Sequence, residues 1–197
     1  MNAKKIVTAG LALVMVAGIS MAGTLAYMTA NDSKTNVFTV GNIGVTLTEP
    51  DWEDAEHKIY PGATLDKDPT VTVAENSEDC WVYVGVKNNL PASIADKMTI
   101  QGESSQWTKL EGVTGYTIYK YNSVVSGGTT LPDVFTDLYF SEDLEQDDLD
   151  DLVAETSDSI EVIAYAHQSE GIAEGDSADQ NAKDFFAAQF GSASVGE

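Results

Sequence analysis

Cys80-Trp81-Val82-Tyr83-Val84-Gly85-Val86-Lys87 alternates without a break, with Cys80, Val82, Val84 and Val86 on one face and Trp81, Tyr83 and Gly85 on the other. A strand that is apolar on both faces is covered on both, so this one is predicted to lie inside a sheet rather than at its margin. Residues 160–167 repeat the pattern, setting Ile160, Val162, Ala164 and Ala166 against Glu161, Ile163, Tyr165 and His167. Residues 70–73, 116–121 and 134–140 read as further strands, and Gly127-Gly128 marks a turn. Nearer the start, Phe38 and Val40, then Ile43, Val45 and Leu47, form two short strands joined at Gly41-Asn42. Residues 49–68 carry Pro50, Pro61 and Gly62 among charges and read as a loop between sheets. Strands separated by turn signals, without helices between them, argue for a mainly β, antiparallel sandwich rather than a parallel sheet.

One or two short peripheral helices complete this expectation. Ser177 with Gln180 has capping-box spacing, Ala182, Phe185, Phe186 and Phe190 follow at helical intervals, and Gly191 supplies a stop, which predicts a C-terminal helix over 177–190. A second helix is predicted over 141–153, with Ser141 as N-cap and Leu149, Leu152 and Val153 as a narrow apolar face.

The chain of 197 residues has 43% apolar residues, enough for a core, and carries 10 basic against 32 acidic residues for a formal charge of −22. All the basic residues are lysine. Such a surface repels polyanions, which excludes nucleic acid as a partner and leaves the folded part no affinity for anionic lipid. Without arginine the usual bidentate clamp for substrate phosphates and carboxylates is missing. A single cysteine, Cys80, cannot form an internal disulfide, and whether it is free or cross-links two chains is open at this stage.

Lys4 and Lys5 precede an uncharged stretch over 6–30, the layout of an export signal, so contact with the membrane is expected only through this segment before cleavage. Two small-residue pairs suit a peptidase, Ser20 with Ala22 and Thr24 with Ala26. The residues alone do not choose between them. Loss of the leader with both its lysines makes the mature charge −24.

Few residues offer chemistry. Zinc hydrolases place two histidines one helical turn apart around a glutamate, whereas His57 and His167 stand far apart in a loop and at a strand end. No nucleophile elbow is present, and Cys80 sits in the strongest strand. The acidic segment 141–158 concentrates Glu142, Asp143, Glu145, Asp147, Asp148, Asp150, Asp151, Glu155 and Asp158. It is the one place where Ca²⁺ is considered, yet leucines interrupt the acids and the central glycine of a calcium loop is missing. Trp52, Trp107, Tyr116, Tyr119 and Tyr121 invite a sugar-stacking reading, but in a sandwich most such rings belong to the core or its rim. No cofactor and no catalytic or metal-binding residue is assigned.

The run Gly23-Thr24-Leu25-Ala26-Tyr27-Met28-Thr29, followed by Ser33-Lys34-Thr35-Asn36-Val37-Phe38-Thr39-Val40-Gly41-Asn42, resembles the TasA/camelysin family of Gram-positive secreted proteins. Ile59-Tyr60-Pro61-Gly62, Lys67-Asp68-Pro69-Thr70-Val71, Val134-Phe135-Thr136 and Ala164-Tyr165-Ala166-His167-Gln168 occur in family-like order. The resemblance implies a jelly-roll-like sandwich, a signal peptide over 1–26 read by a SipW-type signal peptidase, and cleavage between Ala26 and Tyr27 with Thr24 at the site. It further implies a candidate donor strand in the extension 27–36, formed by Tyr27, Met28, Thr29, Ala30, Asn31, Asp32, Ser33 and Lys34, ahead of the sandwich domain at 37–197. The expected function is that of a non-enzymatic structural protein of the extracellular biofilm matrix or cell surface, which pairs head to tail with itself or with related matrix subunits. The alternatives are a secreted camelysin-like metalloprotease, for which no zinc motif is found, and a surface-anchored ligand-binding sandwich.

Overall fold

The structure, a computed structural model, describes residues 36–40, 43–53, 57–150, 159–170 and 177–191. In chain order its elements are β1 (Asn36–Val40), β2 (Ile43–Thr48), α1 (Pro50–Glu53), β3 (Thr64–Asp66), β4 (Thr70–Val73), β5 (Cys80–Asn88), α2 (Ala92–Ala95), β6 (Met98–Gln101), β7 (Trp107–Lys109), β8 (Thr117–Tyr121), β9 (Asp137–Phe140), α3 (Gln146–Asp150), β10 (Ile160–Gln168) and α4 (Ala178–Phe190). The protein is mainly β, and every strand pair among the described residues is antiparallel.

The predicted central strand is β5, which lies between β10 and β8 in a sheet ordered β10-β5-β8-β7. It pairs with β10 along its whole length, Cys80 opposite Gln168 and Asn88 opposite Ile160. The other sheets are β1-β2-β4 and β3-β9-β6. They are joined by one long antiparallel run, in which residues 64–73 travel alongside 129–140. Thr64 faces Tyr139 at one end and Thr72 bridges Thr130 at the other. Between these points the Lys67 amide donates to Thr136 O and the Val134 amide to Pro69 O, so the pairing changes sheet without losing its backbone bonds.

The alternation predicted for β5 and β10 divides their side chains between two cores. Cys80, Val82, Val84 and Val86 meet Ile160, Val162, Ala164 and Ala166 on the inner side, together with Val45 and Leu47 of β2, Val71 and Val73 of β4, and Leu138 and Phe140 of β9. On the outer side Tyr83, Ile163, Tyr165 and Ile118 of β8 are covered by Ala182, Phe186 and Phe190 of α4. The helix starts as the sequence leads one to expect, the Ser177 hydroxyl accepting the Gln180 amide at 3.0 Å, and ends at Gly191 with φ of 73°.

The acidic segment differs from its expected form. Ser141 caps a turn through the Asp143 amide, and the helical part described is only Gln146–Asp150. Its start is fixed by the Asp148 carboxylate, which accepts the Glu145 amide at 2.7 Å and also receives the Lys97 ammonium. Leu144 is buried and ties the segment to the inner core. The predicted helical residues Leu152 and Val153 lie outside the described residues. The stretch 49–68, read as a loop, holds both α1 and β3, and of the run 134–140 only Asp137–Phe140 is a regular strand. No helix among the described residues is long and apolar enough to cross a membrane.

Candidate functional site

The residues singled out for processing and strand donation, Thr24 and Ala26 followed by Tyr27, Met28, Thr29, Ala30, Asn31, Asp32, Ser33 and Lys34, all lie outside the described residues. What the structure offers is the surface that such a strand could meet. Among the described residues β6 has a single strand partner, β9, and ends its sheet. Thr99 and Gln101 are exposed on this edge, while Met98 and Ile100 are half-buried and pack against the inner core. Beside the edge opens a cleft of about 540 Å³, lined by Met98 and Ile100, by Val86 of β5, by Thr117 and Tyr119 of β8 and by Lys109 of β7. Among the described residues this sets an edge strand beside an open cleft of mixed polar and apolar lining, a setting that β-strand addition can use.

A second cluster lies where the β2–β3 connection folds back on 67–70. Lys67 is 0% exposed, its ammonium donates to Glu49 Oε1 at 2.7 Å, and it sits 4.5 Å from the centre of the Trp52 ring. His57 stacks on the same ring, centroid to centroid 3.4 Å, with Nε2 2.8 Å from Trp52 O. Burial depresses the basicity of Lys67 more than Glu49 restores it. The next residue, Asp68, is 9% exposed and accepts the Asp51 amide at 3.0 Å. Burial, reinforced by the Asp51 and Asp133 carboxylates and opposed by the Asp51 amide, pushes its carboxyl up to about 6. Periodicity could not reveal this cluster, because it is assembled from a turn and an irregular crossing.

Cys80 is buried and free, and burial followed by the nearby Asp79 charge pushes its thiol up to about 11, which makes it inert. Cross-linking of two folded copies through it therefore has no accessible sulfur. His167 is half-buried and its Nε2 lies 2.9 Å from the Asn181 amide of α4. Trp107 is buried with its indole N–H donating to Pro132 O, and Trp52 and Tyr119 are also buried. Tyr116 packs on Phe190 and Tyr121 on Trp107, so the five rings considered for sugar stacking are spread over both cores. Among the described residues, which include 142–150 of the acidic segment, no group of three metal-ligating side chains converges.

Comparison with known proteins returns no matching family model, no matching curated protein and no matching solved structure.

Proposed function

We propose that this chain is a secreted, non-enzymatic structural protein of a Gram-positive extracellular matrix or cell surface, built as a jelly-roll-like sandwich. In this reading it assembles head to tail when the N-terminal strand of one copy adds to the β6 edge of the next. The observation that carries it is the β6 edge, which among the described residues is paired on one side alone, beside a cleft of mixed polar and apolar lining. A strand over 27–34 would put Met28, Ala30 and Asp32 on one face and offer its two apolar side chains to the cleft beside Met98 and Ile100. Donor and acceptor are different surfaces, so the contact is heterologous and propagates into a filament instead of closing a dimer.

The test compares protein beginning at Tyr27 with protein beginning at Asn36, by electron microscopy and light scattering. Filaments from the longer form alone, lost in Ile100→Lys while that variant stays folded by circular dichroism, are expected. Monomers from the longer form at every salt and pH tried would sink the proposal.

A further inference from the structure

We propose that the buried pair of Lys67 and Glu49 is the precursor of a covalent cross-link, an amide between Lys67 Nζ and Glu49 Cδ that the folded chain forms within itself. The two groups meet the geometric demand for such a bond. Lys67 Nζ lies 2.7 Å from Glu49 Oε1, and the two side chains are 0% and 5% exposed. An amine in hydrogen-bond contact with a carboxyl oxygen stands roughly 3.5 Å from the carboxyl carbon, at the outer end of a near-attack arrangement.

The surroundings favour reaction over a lasting ion pair. Trp52 is buried and its ring centre lies 4.5 Å from Nζ, while His57 stacks on the same ring. Burial penalises both charges and lowers the basicity of Lys67 against the opposing pull of Glu49. Transfer of one proton along the hydrogen bond, from Nζ to Oε1, turns the two ions into a neutral amine and a neutral carboxylic acid, the forms that react. Asp68 also acts on Lys67 through its charge, but its Oδ1 accepts the Asp51 amide at 3.0 Å, and Glu49 is the carboxylate in contact with Nζ.

The step balances without a further reagent. The nitrogen lone pair attacks Glu49 Cδ, the C–N bond forms, the C–O bond to the protonated oxygen breaks, and one amine proton leaves with that hydroxyl as water. Nothing is oxidised or reduced. The fold holds the reactants together, and the indole that covers them hinders the return of water to hydrolyse the product.

The place of the pair gives the bond a mechanical consequence. Glu49 directly follows β2, whose last residue, Thr48, pairs with Thr70 at the start of β4, and Lys67 stands shortly before Thr70. The amide therefore joins the chain at one end of the β2–β4 ladder and closes the connection that carries α1 and β3 into a ring. A disulfide constrains a loop in the same way, and this chain, with Cys80 alone, has no second cysteine to make one.

Mass spectrometry of the full chain, purified folded and then denatured, tests the proposal without any variant. The expected mass is one water below that calculated from its own N-terminal residue onward, and digestion should give a branched peptide joining the segment of Glu49 to that of Lys67. Lys67→Met cannot form the amide and should show the full mass and two separate peptides. The joint Lys67→Met and Glu49→Leu variant serves as the same control where the single one does not fold. A full mass for the unaltered protein after prolonged incubation in its folded form, with Lys67 open to acetylation once unfolded, would overturn the cross-link. So would a missing water that persists in the Lys67→Met protein.

Discussion

At Gly85 of β5 the aromatic face of α4 lies directly on the backbone, and only the lack of a side chain allows it. A Cβ there would lie 2.5 Å from Phe186 Cδ1 and 2.8 Å from Phe190 Cε2. Gly85→Ala is expected to push the helix from the sheet and to cost about 1–3 kcal/mol in urea unfolding, the usual range for overpacking. Lys67 poses the converse problem, a charge without access to water. Glu49→Gln removes the carboxylate charge 2.7 Å from the buried ammonium and should destabilise by about 3–5 kcal/mol, whereas joint replacement with Lys67→Met and Glu49→Leu should cost less. Equal losses in the single and joint variants would show that the pair matters for its shape and not its charge. Cys80 gives a third check at this scale. With its thiol at about 11 and its side chain buried, alkylation by iodoacetamide at pH 8 should be undetectable in the native protein and rapid in denaturant.

Among the elements, α4 stands on two supports, its cap and its aromatic face. Ser177→Ala should cost about 1 kcal/mol, and Phe186→Ala about 3–5 kcal/mol, since Phe186 is fully buried against the outer core. Thermal unfolding followed by circular dichroism separates the two. The helix α4 is also among the elements that could be read from the sequence, together with β2, β5, β8 and β10, whose turns or alternation are long enough for a period to show, and β4, whose four residues are all β-branched. The strands β3, β6 and β7 have only three or four residues, which is too short for alternation to stand out. Their pairing comes from distant partners, as when Trp107 meets Tyr121 or Met98 meets Phe140. The same limit hid the candidate acceptor edge: β6 is recognisable as an edge only once β9 is seen on one side of it alone. The Lys67 cluster was hidden for a different reason. A lysine in a Pro-rich polar stretch reads as solvated, and what buries it is the fold of Trp52 and Glu49 from the other limb of the connection.

For the whole molecule, charge is the governing quantity. At −22, or −24 if a leader carrying Lys4 and Lys5 is removed as proposed, copies repel one another over a screening length of about 10 Å at 0.1 M salt that shrinks to about 3 Å at 1 M. If copies assemble as proposed, added salt, acid or divalent cations should shorten the lag before light scattering rises, and a longer lag in salt would show that attraction between unlike charges drives assembly instead. The ladder at the centre of the molecule has a consequence in time as well as in space. β5 is made early in synthesis and its longest partner, β10, comes roughly seventy residues later, so the pairing must close a large loop before it stabilises anything. Folding is accordingly expected on the millisecond-to-second scale of non-local β proteins, and a chain whose last forty residues have not yet emerged lacks the strand that completes its middle. Until that strand arrives β5 lacks its longest pairing, a delay that would suit passage through a narrow channel if the chain is exported as proposed.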